Sequence, residues 1–251
     1  MKEKNFYNEI GNWDFSKINY ETETKSEWNM YKEIEKYITS KSICLDLGTG
    51  GGENVIKNYP PAEKIIGTDY SKTMIKTAKE NLKYSKRKDI KFKVMNNLRI
   101  DYPEETFDLI SARHTIIDAK ELYRVLKNEG HIIIQGIDKE DCIDLKKIFK
   151  RGQAYKDKKS ISKIDLENLE KAGFEIIKKE KITEIEFYKT EKDLMKLLLK
   201  TPILNNFSKE TQKDVKLQIE KDLFAKYIRE FKEEKGIKLV RKLYGIVAKK
   251  K

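Results

Sequence analysis

Cysteine, histidine and proline are scarce in this chain of 251 residues: two, two and four, respectively. Cys44 and Cys142 are too few for a disulfide framework, and such sparing use suits a reducing compartment. The same scarcity of thiols and imidazoles excludes a zinc cluster. Long apolar runs are missing too. Uninterrupted stretches such as 132–134 and 197–199 fall far short of the ~20 residues a membrane-spanning helix needs. The opening Met1-Lys2-Glu3-Lys4-Asn5 carries no apolar signal core, so a cytoplasmic location without membrane partners is the expectation. No internal repeat and no Gly/Ser-rich or Pro-rich linker divides the chain; its prolines are Pro60, Pro61, Pro103 and Pro202.

What is present is charge and aromatic mass. Charged residues make up 38% of the chain and apolar residues another 38%, with 13 Tyr and 10 Phe, enough to build a core. The length fits one α/β domain with an insertion, or two small domains. The net charge of +12 is carried by 47 Lys and only 7 Arg. Readers of phosphates and bases lean on the planar, bidentate Arg fork, so a lysine excess is weak evidence for a polyanion partner. The excess is also uneven: residues 1–150 are nearly neutral at +2, and residues 151–251 carry +10.

Hydrophobic periodicity predicts an alternation of strands and helices. Residues 27–38 carry Trp28, Tyr31, Ile34 and Ile38 at helical spacing. Strands follow at 42–47, 64–68, 90–95, 107–112 and 131–137, with helices at 53–59, 71–84 and 119–126 between them. Ser71 is a natural N-cap for the second of these helices. This order argues a doubly wound, mostly parallel sheet of the α/β class. Beyond residue 138 the pattern shifts to helices at 141–150, 163–172, 191–200 and 208–234, with strands at Phe174–Tyr188 and 238–249. The two late strands, joined across a helical insertion, predict an antiparallel hairpin at one sheet edge and seven strands in all. The expected organisation is an N-terminal helical or lid segment (1–40), a core (41–188), an inserted cap over the acceptor site (189–236) and a final core strand with a Lys tail (237–251).

The sharpest feature is Leu45-Asp46-Leu47-Gly48-Thr49-Gly50-Gly51-Gly52-Glu53, at the end of the first core strand and its turn. Glycines at 48, 50 and 52 permit positive φ and close approach of a ligand to the backbone, next to a helix N-terminus. An acid two positions before the first glycine suits a cationic ligand group better than a pyrophosphate, which disfavours a nucleotide-dependent oxidoreductase. Some twenty residues on, Gly67-Thr68-Asp69-Tyr70 ends the second strand, where a carboxylate can accept from ribose hydroxyls. An amino group at one acid and a ribose at the other describe S-adenosylmethionine. With Phe107-Asp108-Leu109-Ile110 and Glu121-Leu122-Tyr123-Arg124-Val125-Leu126-Lys127-Asn128-Glu129-Gly130, the chain resembles the class I S-adenosylmethionine-dependent methyltransferases over residues 40–138. Trp13-Asp14-Phe15-Ser16 and Arg113-His114 are similar to a bacterial subgroup of small methyltransferases without an assigned substrate.

The resemblance implies S-adenosylmethionine as cofactor and assigns roles to residues. Asp46 would face the methionine amino group. Gly48, Thr49, Gly50 and Gly52 would form the loop around the amino-acid and ribose parts. Asp69 would take the ribose hydroxyls and Tyr70 would lie against the adenine. Where the family often has an Asp for the adenine amine, this chain has Asn96-Asn97; alignment favours Asn96, with Leu98 as an apolar cover. Arg113 and His114 fall just past the fourth core strand, where the methyl acceptor approaches. His114 is a candidate general base and Arg113 a candidate anchor for an anionic group. The resulting expectation is direct displacement onto an O or N nucleophile of a small molecule. RNA or protein as acceptor, docked on the basic C-terminal region, is the alternative, and a non-catalytic cofactor-binding module is the alternative of another class. Asp46 and Asp69 also have plain readings as helix caps, and His131, Cys44 and Trp28 read as packing residues. No metal site is expected, and the sequence leaves the oligomeric state open.

Overall fold

The computed structural model describes residues 18–204 and 216–251. The Trp13–Ser16 motif and the start of the helix expected from 208 lie outside them. In chain order the described elements are strand β1 (Tyr20–Thr24), helix α1 (Met30–Glu35), β2 (Ile43–Leu47), α2 (Glu53–Asn58), β3 (Lys64–Asp69), α3 (Lys72–Lys83), β4 (Ile90–Val94), β5 (Phe107–Arg113), α4 (Ala119–Val125) and β6 (Leu126–Ile137). They continue as α5 (Ile143–Phe149), α6 (Ile161–Ala172), β7 (Phe174–Tyr188), α7 (Glu191–Lys200), a 3-10 turn (Pro202–Leu204), α8 (Lys216–Phe231), β8 (Lys232–Glu233) and β9 (Gly236–Lys250).

The strands form one sheet in the order β1-β7-β9-β6-β5-β2-β3-β4, with the two-residue β8 paired to β9. Strands β2 to β6 are mutually parallel where they pair, and β9 runs antiparallel to both β6 and β7. The class is therefore the expected one: α/β, doubly wound, mostly parallel, with a late antiparallel hairpin interrupted by helices. Two details differ. The sheet has nine strands rather than seven, and the hairpin does not form its edge. β9 slots between β6 and β7, and β1 pairs antiparallel along the outside of β7. The sequence Tyr-Glu-Thr-Glu-Thr of β1 is exposed at every position, so it has no apolar alternation to read; the backbone ladder to β7 holds it.

Packing explains the rest. On one sheet face, α1 and α3 place Met30, Ile34, Ile75 and Ala78 against Cys44, Leu109, Ile133 and Val247. On the other, Leu122 of α4 and Leu169 of α6 cover Leu45, Ile110 and Ile132. Asn29, rather than a residue near 27, caps α1 by accepting from the backbone N–H groups of Tyr31 and Lys32, which leaves Trp28 outside the helix. Ser71 caps α3 as expected. A third cluster joins α5, α7, α8 and the 3-10 turn to the ends of β7 and β9. It includes Leu194, Leu198, Leu204, Tyr227 and Leu239, each at most 1% exposed. The apolar set of the insertion is thus a small core of its own, where each fully buried Leu contributes about 2 kcal/mol.

Candidate active site

The chain reverses direction across the sheet between β2 and β5, and ligands of open α/β sheets sit outside the strand ends at such a point. Both strands deliver polar residues there. Asp46, next to last in β2, is 5% exposed and accepts a 2.5 Å hydrogen bond from Ser111 Oγ of β5. Ser111 in turn meets the hydroxyl of the buried Tyr59 at 3.2 Å. Burial pushes the Asp46 carboxyl up to about 6, against the opposing pull of the Ser111 hydrogen bond and the nearby Arg113 charge.

The loop after β2 turns three times through positive φ, at Gly48 (73°), Gly50 (58°) and Gly52 (78°). A Cβ on Gly48 would stand 2.6 Å from Cβ of Thr115, and one on Gly52 would stand 2.6 Å from the Phe92 ring. Only glycine fits either place. The loop is pinned to β3, because Thr49 N–H donates to the Thr68 carbonyl (2.9 Å) and Gly50 N–H donates to Asp69 Oδ2 (3.1 Å). The other Asp69 oxygen accepts from Ser71 N–H at 2.8 Å. Asp69 therefore ties the loop to the residue that caps α3, and Ser71 rather than Asp69 is the helix cap. Each oxygen still has a lone pair for a ligand hydroxyl. Burial raises its pKa despite these bonds.

The two asparagines divide differently from expectation. Asn96 is exposed, and its Oδ1 closes a local turn by accepting from Leu98 N–H (3.0 Å). Asn97 is buried and points inward: its Nδ2 donates to Thr115 Oγ1 at 2.8 Å. Its Oδ1 is buried and meets no donor among the described residues. Tyr70, Leu98 and Ile116 leave 47–64% of their surface exposed around this point.

Cross-strand partners share a sheet face, so the registers extend the site sideways. Asp46 pairs with Ser111; two residues on, Arg113 pairs with Gln135 and Gln135 with Gly245. On the same face Arg241 of β9 lies opposite Glu184 of β7, which lies opposite Thr24 of β1. Trp28 packs over Gly245, where a Cβ would meet its ring, and donates from Nε1 to Gln135 Oε1 at 2.9 Å. Gln135 Nε2 stands 3.5 Å from His114 Nε2, a contact in which the amide donates and the ring nitrogen accepts. His114 has φ 52° and lies deep in the fold with part of its rim exposed. Burial first, then the positive charges of Arg113 and Arg241, hold its pKa well below the ordinary histidine value. It is a neutral ring whose one basic lone pair faces the Gln135 amide, and so a weak base.

The structure thus brings together Asp46, Gly48, Thr49, Gly50, Gly52, Asp69, Asn97, Arg113 and His114 at one sheet end, with Tyr70 on its rim and Asn96 turned out. Sequence reasoning passed over the Ser111–Tyr59 support of Asp46, the Thr115 side chain over Gly48, and the Gln135–Trp28 contact. A serine between the apolar Ile110 and Ala112 of β5 was the one signal available. Cys44 is buried, His131 stacks on Tyr37 with ring centres 4.0 Å apart, and no group that could hold a metal ion occurs among the described residues.

A family model for a methyltransferase domain matches residues 38–232. The chain belongs to that methyltransferase family. The class I S-adenosylmethionine-dependent resemblance read from its motifs is therefore borne out. Among curated relatives, a demethylmenaquinone methyltransferase of Lactococcus lactis is 30% identical over 106 residues, covering 38% of this chain and 42% of its own. A ribosomal protein L11 methyltransferase of Staphylococcus haemolyticus is 30% identical over 114 residues, covering 43% and 36%. The chain spans about two fifths of the length of these relatives. Among solved structures, a protein of unknown function from Deinococcus radiodurans R1 superposes with a TM-score of 0.60 at 14% identity, covering 99% of both chains, which is a likeness of fold. No helix among the described residues is long and apolar enough to cross a membrane.

The family implies S-adenosylmethionine, and the residues present fit it. A three-glycine cradle, one buried and one half-buried carboxylate for an ammonium and a diol, and a buried amide oxygen with no donor among the described residues are what such a ligand would occupy.

Proposed function

We propose that this chain transfers a methyl group from S-adenosylmethionine to an O or N nucleophile of a small molecule. One observation carries the small-molecule reading. The sheet face that bears Asp46 continues, without a break in register, into a half-buried polar strip (Arg113, Gln135, Glu184), flanked by Trp28 and Tyr31. A recessed strip of this kind suits an acceptor that enters whole better than the face of a macromolecule.

When bound, S-adenosylmethionine supplies an electrophilic methyl group on a sulfonium. Asp46, steadied by Ser111, holds the ligand ammonium, and the glycine loop admits its backbone. Asp69 accepts from the ribose hydroxyls while continuing to pin the loop. Tyr70 lies against the adenine, and Asn97 Oδ1, rather than the outward-facing Asn96, takes its amine. Arg113 orients the acceptor. His114, neutral and hydrogen-bonded to Gln135, shapes the wall rather than acting as a strong base. Acceleration then comes mainly from alignment of the two reactants and exclusion of water, for which well-oriented systems reach effective molarities of about 10⁵ M or more.

The test is a labelled-methyl transfer assay against small-metabolite, RNA and protein fractions, alongside calorimetry with S-adenosylhomocysteine and NAD. Label in the metabolite fraction is expected. Label confined to RNA or protein would overturn the small-molecule reading, and tight NAD binding with no S-adenosyl ligand would overturn the cofactor. Tight cofactor binding with no transfer to any fraction would point to a non-catalytic binding module.

A further inference from the structure

Two side chains on the polar strip carry opposite charges that the fold does not use. Arg113 ends β5 with its guanidinium half-buried and forms no ion pair or hydrogen bond among the described residues. Glu184, half-buried on β7, likewise has none. The cation directly opposite Glu184 does not serve it. Arg241 gives Nε and Nη2 to Asp141 (2.8 and 3.2 Å) and Nη1 to Glu186 (3.2 Å). Glu186 also accepts from the Tyr188 hydroxyl at 2.6 Å. Burial and the like charge of Glu186 raise the pKa of Glu184, while Arg241 and Arg113 oppose them. Holding a carboxylate and a guanidinium half out of water with no direct hydrogen-bond partner for either disfavours the folded state.

Their spacing is that of a small molecule. Arg113 lies level with Gln135, Gly245 and Glu180, so Glu184 stands three strands across and four residues further along. That is about 14 Å in each direction at the backbone, and two long side chains reaching inward leave a gap on the order of 8 Å between charges. The charges sense one another across it, and both also act on the Tyr20 hydroxyl. Tyr20, Tyr31 and Trp28 supply aromatic surface beside the gap.

We infer that the methyl acceptor is a small amphoteric molecule that sets an anionic group on Arg113 and an ammonium or other donor group on Glu184, with an apolar body against these aromatic rings. The guanidinium fork suits a carboxylate or phosphate bidentately, and a lone carboxylate suits an ammonium. The inference rests on the methyltransferase reading above and narrows its acceptor.

The test uses the full chain saturated with S-adenosylhomocysteine and three rigid probes of equal body: 4-(aminomethyl)benzoate, 4-methylbenzoate and 4-methylbenzylamine. Calorimetry is expected to give the amphoteric probe at least tenfold tighter binding than either single-charge probe. Glu184→Gln, nearly isosteric and remote from the glycine loop, should erase its advantage over 4-methylbenzoate. Arg113→Gln should erase its advantage over 4-methylbenzylamine. Equal affinity of the three probes for the native chain, or a preference that survives both substitutions, would overturn the inference. S-Adenosylhomocysteine affinity, measured on each variant, separates the two levels. A native chain that binds S-adenosylhomocysteine but holds the three probes equally refutes only the acceptor class, whereas a native chain that binds no S-adenosylhomocysteine refutes the underlying function.

Discussion

Asp46 offers the sharpest quantitative test of the site, because its burial has consequences for stability and for binding that carry opposite signs. Its carboxyl is raised from 3.8 to about 6. The folded chain therefore holds that proton more tightly than the unfolded chain, and this contribution falls as pH rises from about 4 to about 6. Working the linkage through gives a penalty of about 1 kcal/mol at pH 4.5 and about 3 kcal/mol at pH 7.5. Asp46→Asn keeps the shape and the contact to Ser111 but removes the charge. In urea unfolding without ligand, the variant should exceed the native chain by up to about 3 kcal/mol at pH 7.5, and the difference should shrink by about 2 kcal/mol at pH 4.5. Binding should move the other way. If the ammonium of S-adenosylhomocysteine meets the ionised carboxylate, native affinity should fall about tenfold between pH 7 and pH 5, and the variant should bind more weakly with a flatter profile. A variant less stable than the native chain at pH 7.5, with an unchanged pH slope, would refute the burial argument. A pH-independent native affinity would refute the contact between Asp46 and the ligand.

Three further outcomes follow from the geometry. Gly52→Ala forces an L-residue into φ 78° with its Cβ 2.6 Å from the Phe92 ring, and should cost about 2–4 kcal/mol in urea unfolding; a loss below about 0.5 kcal/mol would contradict the loop as described. Arg241→Gln leaves the buried Asp141 carboxylate without its guanidinium and should cost about 3–5 kcal/mol, part of which Asp141→Asn in the same chain should restore; strictly additive losses would argue that the two do not interact. For His114→Asn, where asparagine tolerates the φ of 52°, kcat should change less than about tenfold, and the native kcat profile at saturating cofactor, where the bound ammonium keeps Asp46 ionised, should show no inflection near 6.5. A loss of a hundredfold or more, together with a native inflection in that range, would restore His114 as a base.

How far the sequence revealed this molecule depended on whether the cue was local. Strands buried on both faces read as apolar runs, and the glycine loop read as a turn because positive φ is a property of single residues. β1 was missed because an exposed edge strand owes its existence to a ladder with residues some 160 positions away. The hairpin was seen, but its place was not: nothing in β9 itself says that it will enter between β6 and β7. The two asparagines show the limit most plainly. Alignment selected Asn96, but on leaving β4 the chain makes a tight turn that Asn96 itself closes, and this swings Asn97 inward to Thr115. The Arg241 network joins residues 141, 186 and 241, which no spacing rule connects.

The charge of the chain illustrates the difference between distribution along a sequence and distribution in space. Residues 151–251 carry an excess of ten positive charges, which in isolation reads as a docking face for a polyanion. Folding returns several of these lysines to acids of the nearly neutral first part. Lys178 meets Glu33, Lys189 meets Glu21, Lys235 meets Glu23, Lys249 meets Glu129 and Lys250 meets Glu105. Such surface pairs add little stability, but they spread the basic excess over the sheet edge among carboxylates that would repel a phosphate backbone. On the sheet face beside the candidate site, Arg113 and Glu184 have no direct side-chain partner among the described residues. The two differ in sign and flank the same aromatic strip, so the charges nearest the proposed acceptor site suit a small ligand bearing both signs better than a long one bearing one.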